Sequence, residues 1–186
     1  MKFRSDPATI RGSIAPVVTP FTDEGAVDHD SLRSLIRFQL ESGSHGISLG
    51  GSTGEPSAQT VAERIATMRT AVEETGDRVP FLPGTGLHKL NETLELTAAA
   101  RELGAEADLV ITPYYARSTQ RRRTSAAHWY ATVAREFPDL PIVAYNMPSR
   151  TAVDIAPETV RQLFTDFDNF VGVKETTKTS STSPVC

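Results

Sequence analysis

Six short apolar runs punctuate this chain at near-regular spacing: "SIAPVVTPF", "HGISLGG", "VPFLPGTG", "ADLVITPYY", "PIVAYNMPS" and "NFVGVKET". Each is apolar on both faces and is followed by Gly, Pro, Ser or Thr, which is the pattern of a strand buried in a parallel sheet. Between them lie amphipathic segments that predict helices over Asp30 to Leu40, Thr60 to Glu74, Asn91 to Leu103, Ser125 to Phe137 and Pro157 to Phe164. The second opens on a capping box, Thr60 with Glu63, and Gly43, Gly76 and Gly104 stand where helices stop. Six strands and five helices in alternation leave two main solutions, an open doubly wound sheet or a (β/α)8 barrel.

The residues after the strands favour the barrel. An open sheet gathers its ligand groups at one switch point, whereas here polar groups follow nearly every strand: Thr19, Ser52 and Thr53, Thr85, Tyr114 and Tyr115, Tyr145 and Asn146, and Lys174. The count is short of eight units, because a full barrel takes typically about 250 residues and this chain has 186. The fold expected is therefore an incomplete (β/α)8 TIM barrel over residues 1–178. Residues 179–186 close on a Ser/Thr/Pro-rich stretch without apolar periodicity, expected to be a disordered, truncated or frame-shifted tail.

Composition narrows the class of function. With 19 basic and 23 acidic residues the net charge is −4, which disfavours general affinity for nucleic acid or anionic membrane and points to small-molecule partners. The single cysteine, Cys186, cannot form an internal disulfide, and the first residues lack the apolar core of a signal peptide. No apolar run reaches the roughly 18 residues of a membrane span, so the expected compartment is the cytoplasm. His29, His45, His88 and His128 are scattered, without metal-ligand spacing. "PGTGLHK" and "GGSTGE" lack the spacing of phosphate-binding and dinucleotide loops. Neither metal nor cofactor is expected. The run Arg121-Arg122-Arg123 is an isolated basic triplet in an acidic chain and is read as a solvated loop.

Lys174 is the residue that asks for an explanation. A lysine inside Val-Gly-Val either snorkels its ammonium to water or is held desolvated for chemistry. In apolar surroundings such as Val171 and Val173 the charged form is disfavoured, which frees an amine to condense with a ketone; Tyr145 is a candidate to shuttle the proton. "GGSTGE" offers Gly51, Ser52 and Thr53 for close approach and hydrogen bonding to a carboxylate, or is an ordinary strand-to-helix turn. A 2-keto acid satisfies both halves of such a pocket.

"GSIAPVVTPF", "GGSTGEPS", "ITPYYAR", "YNMPSRTAVDI" and "GVKETT", in that order, resemble the signature segments of the dihydrodipicolinate synthase and N-acetylneuraminate lyase family, up to about Thr177. The resemblance implies a (β/α)8 class I aldolase, usually a homotetramer, that binds pyruvate or a related 2-keto acid as an imine and joins it to, or releases, an aldehyde. Carried over motif by motif, Lys174 forms the imine and Tyr145 is the acid/base beside it. Ser52 and Thr53 hold the carboxylate, Ser52 joins a hydroxyl relay to Tyr115, and Arg150 meets the second substrate at the entrance.

The subfamily signals conflict. "GSTGE" is nearer the lyase spelling and "YNMPSRT" nearer the synthases, and 2-keto-3-deoxy sugar-acid aldolases and dehydratases share the frame. The segment after Tyr115 departs from the family pattern, with Ser118 and Arg122 where a proline and a glycine are usual. A catalytically inactive fragment is the competing expectation, because the first and sixth strands of a six-strand arc keep unpaired edges.

Overall fold

The structure is a computed structural model, described here for residues 6–114 and 121–177. Its strands are β1 (Ile14–Pro16), β2 (Gly46–Ser48), β3 (Asp108–Ile111), β4 (Ile142–Asn146) and β5 (Phe170–Glu175). The helices are α1 (His29–Glu41), α2 (Val61–Thr75), α3 (Leu90–Leu103), α4 (Arg121–Glu136), α5 (Pro148–Thr151) and α6 (Pro157–Asp166). All strand pairs are parallel, β1 with β2 and β3 with β4 with β5.

Five of the six apolar runs form regular strands, and the reason the third does not is written in its prolines. Pro80 and Pro83 carry no amide hydrogen, so the segment 79–86 cannot sustain a continuous ladder on both sides. It still bridges the two sheets. Ile47 donates to the Pro80 carbonyl at 3.0 Å, and Leu82 and Gly84 donate back to Ile47 and Leu49 at 2.9 and 2.7 Å. On the other side Leu109 donates to Pro83 and Thr85 to Leu109, at 2.8 and 3.2 Å. Isolated parallel bridges at Ile47 with Phe81 and Gly84 with Leu109 mark the same seam. The six segments thus form one parallel arc in chain order.

That order, with no reversal, is the order of a barrel wall rather than of a doubly wound sheet. Consecutive helices pack against one another, α1 on α2, α2 on α3, α3 on α4 and α4 on α6, as expected when all lie on one side of the arc. Among the described residues β1 bonds only to β2 and β5 only to β4, so both edges of the arc are open.

Local chemistry fixes the helix ends. Thr60 caps α2 by accepting from the Glu63 amide at 3.2 Å, and Glu63 reaches back to the Thr60 amide at 2.8 Å, so the capping box forms as its residues predict. Gly43, Gly76 and Gly104 all take positive φ after their helices. The "PIVAYNMPS" run is cut at Asn146 because Pro148, with its fixed φ and missing donor, starts the short α5. Two apolar clusters fill the arc. One joins Leu32, Ile36, Ile47, Met68, Phe81 and Leu96, and the other Val110, Tyr130, Val133, Ile142, Leu163 and Phe170.

Candidate active site

Parallel pairing places Ile111, Tyr145 and Lys174 in one row across the ends of β3, β4 and β5. Side chains alternate along a strand, so Tyr145 and Lys174 share one face and their successors Asn146 and Glu175 share the other. The Lys174 ammonium stands over the Tyr145 ring at 4.4 Å from its centre, within cation–π range. Burial holds the Lys174 amine below its ordinary pKa, because charging it there forfeits hydration.

Tyr145 is 4% exposed, and its hydroxyl lies 3.3 Å from the Ser52 Oγ. Both hydroxyls also donate toward the Met147 thioether, Tyr145 at 2.8 Å and Ser52 at 3.2 Å. Two hydroxyls carry two protons, so at most two of these three contacts are hydrogen bonds at once. A thioether is a weak acceptor, which leaves either proton free to move to a better one.

Ser52 is delivered by a tight segment. Gly50 takes φ +69, and a Cβ there would stand 2.6 Å from the Gly84 carbonyl, so this position requires glycine. A Cβ on Gly51 meets nothing within 4 Å, which shows the backbone bordering open space. Ser52–Gly54 and Pro56–Ala58 are single turns of 3-10 helix joined by Glu55, a non-glycine residue at φ 46. Such a conformation is costly and needs support. The Gly54 carbonyl receives it from the Thr19 hydroxyl at 2.8 Å and the Gln59 amide at 3.0 Å.

A cavity of about 380 Å³ opens beside these groups, bordered by Gly51, Ser52, Gly84, Gly86, Tyr145 and Arg150 among others. Gly51, Ser52, Tyr145 and Arg150, singled out in the sequence, therefore meet at one opening. Thr53 is exposed and does not border the cavity, and neither does Lys174, whose ammonium lies over the ring of Tyr145, a residue that does. Tyr115 lies outside the described residues, as do residues 179–186. Among the described residues no cluster of three metal-ligating side chains occurs, and no helix is long and apolar enough to cross a membrane.

Three features escaped the reading of the sequence. The first is Met147, hidden inside the strand-end motif. The second is the outward-facing pair Asn146 and Glu175, joined at 2.9 Å.

The third is a buried polar group behind the cavity. Arg64 is 1% exposed and donates through Nη2 to the Gly84 carbonyl, while its Nε and Nη1 have no partner among the described residues. Burial lowers the Arg64 guanidinium to about 10. Asp108 is wholly buried and accepts from Thr85 at 2.7 Å and Thr97 at 2.9 Å. Burial pushes its carboxyl up to about 7, against the pull of those hydroxyls and of Arg64. The signal was available: Arg64 shares the buried stripe of α2 with Thr67, Met68, Ala71 and Thr75, where a charge has no solvent to reach.

Comparison with known proteins adds what one chain cannot supply. The model of the dihydrodipicolinate synthetase family matches residues 9–184. The 4-hydroxy-tetrahydrodipicolinate synthase of Thermus thermophilus is 46% identical over 168 residues, 90% of this chain and 55% of that enzyme. The crystal structure of dihydrodipicolinate synthase from Aquifex aeolicus superposes with a TM-score of 0.85 at 38% identity, over 91% of this chain and 56% of that one. The Acinetobacter baumannii synthase, solved with pyruvate, gives a TM-score of 0.82 at 37% identity, over 89% and 55% of the two chains. The chain spans about half the length of the curated relatives it matches. The arc is thus part of a (β/α)8 barrel of this kind, and the chain belongs to the dihydrodipicolinate synthetase family.

Proposed function

We propose that this chain carries the imine-forming site of a class I lyase that condenses pyruvate-type 2-keto acids with an aldehyde, or cleaves the product, in the manner of a 4-hydroxy-tetrahydrodipicolinate synthase. The observation that carries the reading is the stack of Lys174 on Tyr145, with the Ser52 hydroxyl 3.3 Å from the Tyr145 oxygen. An amine whose charge is disfavoured by burial is the nucleophile such chemistry needs.

In the proposed sequence the neutral Lys174 Nζ attacks C2 of the keto acid, and Tyr145 gives its proton to the former carbonyl oxygen. Water leaves, and the C=N bond that forms is protonated at nitrogen. Its positive charge draws electrons from C3, so a C3 proton can be removed and the resulting enamine can attack an aldehyde carbon. Gly51 and Ser52 border the cavity where the keto-acid carboxylate would lie. Thr53 and Tyr115 are proposed to join them as the resemblance implies, Thr53 at the carboxylate and Tyr115 in the relay with Ser52. Arg150, at the rim, offers a guanidinium fork to the carboxylate of a second substrate. We further propose a cytoplasmic homotetramer in which the rest of the barrel covers the open edges of the arc.

The test is intact-mass analysis after incubation with pyruvate and borohydride, which reduces the imine to a stable secondary amine. An adduct in the parent chain, absent in Lys174→Arg, is the expected result. An adduct that persists in the variant refutes Lys174. No adduct in the parent refutes activity of the chain as it stands and favours the reading of an inactive portion of the enzyme.

A further inference from the structure

The two proposed catalytic side chains sit on neighbouring strands, and what holds the ends of those strands together lies on the opposite face. Asn146 follows Tyr145, Glu175 follows Lys174, and the two are register partners. Asn146 is 1% exposed, and every polar atom of its side chain is used. Its Nδ2 donates to Glu175 Oε2 at 2.9 Å and to Asp154 Oδ1 at 2.8 Å, and its Oδ1 accepts from the Ile155 amide at 3.2 Å. Its backbone carbonyl accepts from the amide of Thr176 at 3.2 Å and from its hydroxyl at 2.8 Å. A single residue therefore ties β4, β5 and the segment after α5 together, one position beyond the Tyr145–Lys174 row.

We infer that Asn146 is a positioning residue, which through Glu175 and Thr176 holds the end of β5 so that the Lys174 amine stays stacked and sheltered on Tyr145. The inference rests on the imine reading of Lys174 and deepens it. No other side chain of this size both donates to two carboxylates and accepts a backbone amide. Aspartate would bring three carboxylates together, and leucine would take away the donor to Asp154 and to Glu175 Oε2 and the acceptor of the Ile155 amide. Glu175 reports the same contact. Burial pushes its carboxyl up, yet the hydrogen bonds from Asn146 and from Thr177 and Thr176 outweigh it, and the group stays below its ordinary value.

The lock predicts a division of labour that a merely structural residue would not show. It acts on Lys174 from behind, and the proposed carboxylate cradle at Gly51 and Ser52 belongs to a different strand end. Losing the lock should therefore slow imine formation without weakening attraction for the keto acid. In Asn146→Ala the rate of borohydride trapping at saturating pyruvate should fall roughly tenfold or more, as for a misplaced reacting group. The half-saturating pyruvate concentration should move less than about twofold. Glu175→Ala changes an exposed side chain and is the second variant if the first does not fold; it should show the same split. Glu175→Gln keeps an acceptor for the Asn146 amide and should recover most of the rate.

An unchanged trapping rate, or a rise in half-saturation with the rate intact, overturns the inference, as does a loss in Glu175→Gln equal to that in Glu175→Ala. A second readout needs no imine. Trace labelling with acetic anhydride across pH titrates the Lys174 amine, and in Asn146→Ala its midpoint should rise toward the ordinary lysine range as water reaches it. An unmoved midpoint overturns the inference even if pyruvate forms no adduct, an outcome that would by itself refute only the imine reading of this chain.

Discussion

Replacing Asp108 by asparagine should make the protein more stable at alkaline pH and leave it little changed in acid. In the unfolded chain this carboxyl loses its proton near 3.8, but in the folded protein burial keeps it protonated up to about 7. Between those values the native state binds the extra proton, so native stability falls as pH rises through the window, and the cost is fully in place above it. A displacement from 3.8 to about 7 corresponds to an upper bound on the order of 4 kcal/mol at about pH 8. Asp108→Asn keeps an oxygen to accept from Thr85 and Thr97 and carries no charge to desolvate.

The assay is urea unfolding of parent and variant at about pH 4.5 and about pH 8, compared as differences. Carboxyls held below their ordinary values, such as Glu74 and Asp139, titrate in both proteins and cancel. The variant should gain roughly 2–4 kcal/mol relative to the parent between the two conditions. A relative stability that does not change with pH would refute the reasoning, and would mean that Arg64 and the two threonines keep Asp108 ionised throughout.

Tyr145→Phe keeps the ring beneath Lys174 and removes the hydroxyl, so pyruvate trapping should slow about 10²- to 10⁴-fold with half-saturation nearly constant; an unchanged rate would exclude Tyr145 as the acid. Gly50→Ala puts a methyl 2.6 Å from the Gly84 carbonyl at φ +69. Its unfolding free energy should drop by roughly 1–3 kcal/mol in denaturant, and a neutral result would mean the Gly50 and Gly84 segments are not pressed together.

Much of the frame was legible because it rests on local rules. Buried parallel strands must be apolar on both faces, helices must cap their free amides, and glycine must end them, so runs such as "ADLVITPYY" and the Thr60 capping box announced themselves. Pro80 and Pro83 showed the limit of that reading. The run around them has strand hydropathy, but missing donors reduce it to a bridge between regular neighbours.

Pattern and spacing alone put Ser52, Tyr145 and Lys174 just after or at the ends of buried strands, and resemblance to the family added Arg150, which lies in the short helix α5. Which of them meet was settled by strand register and packing. Parallel register put Tyr145 beside Lys174, and a close approach of two glycine backbones, Gly50 on Gly84, aimed Ser52 at the same hydroxyl while Thr53 stayed outside. The contacts of Met147, the hydrogen bonds of Asn146 and the partners of Asp108 were beyond reach of the sequence, whereas the burial of Arg64 was readable from the α2 stripe it shares. Hydropathy pattern records whether a side chain is inside, whereas desolvation and hydrogen bonding depend on which groups, distant in sequence, the packing brings within about 3 Å.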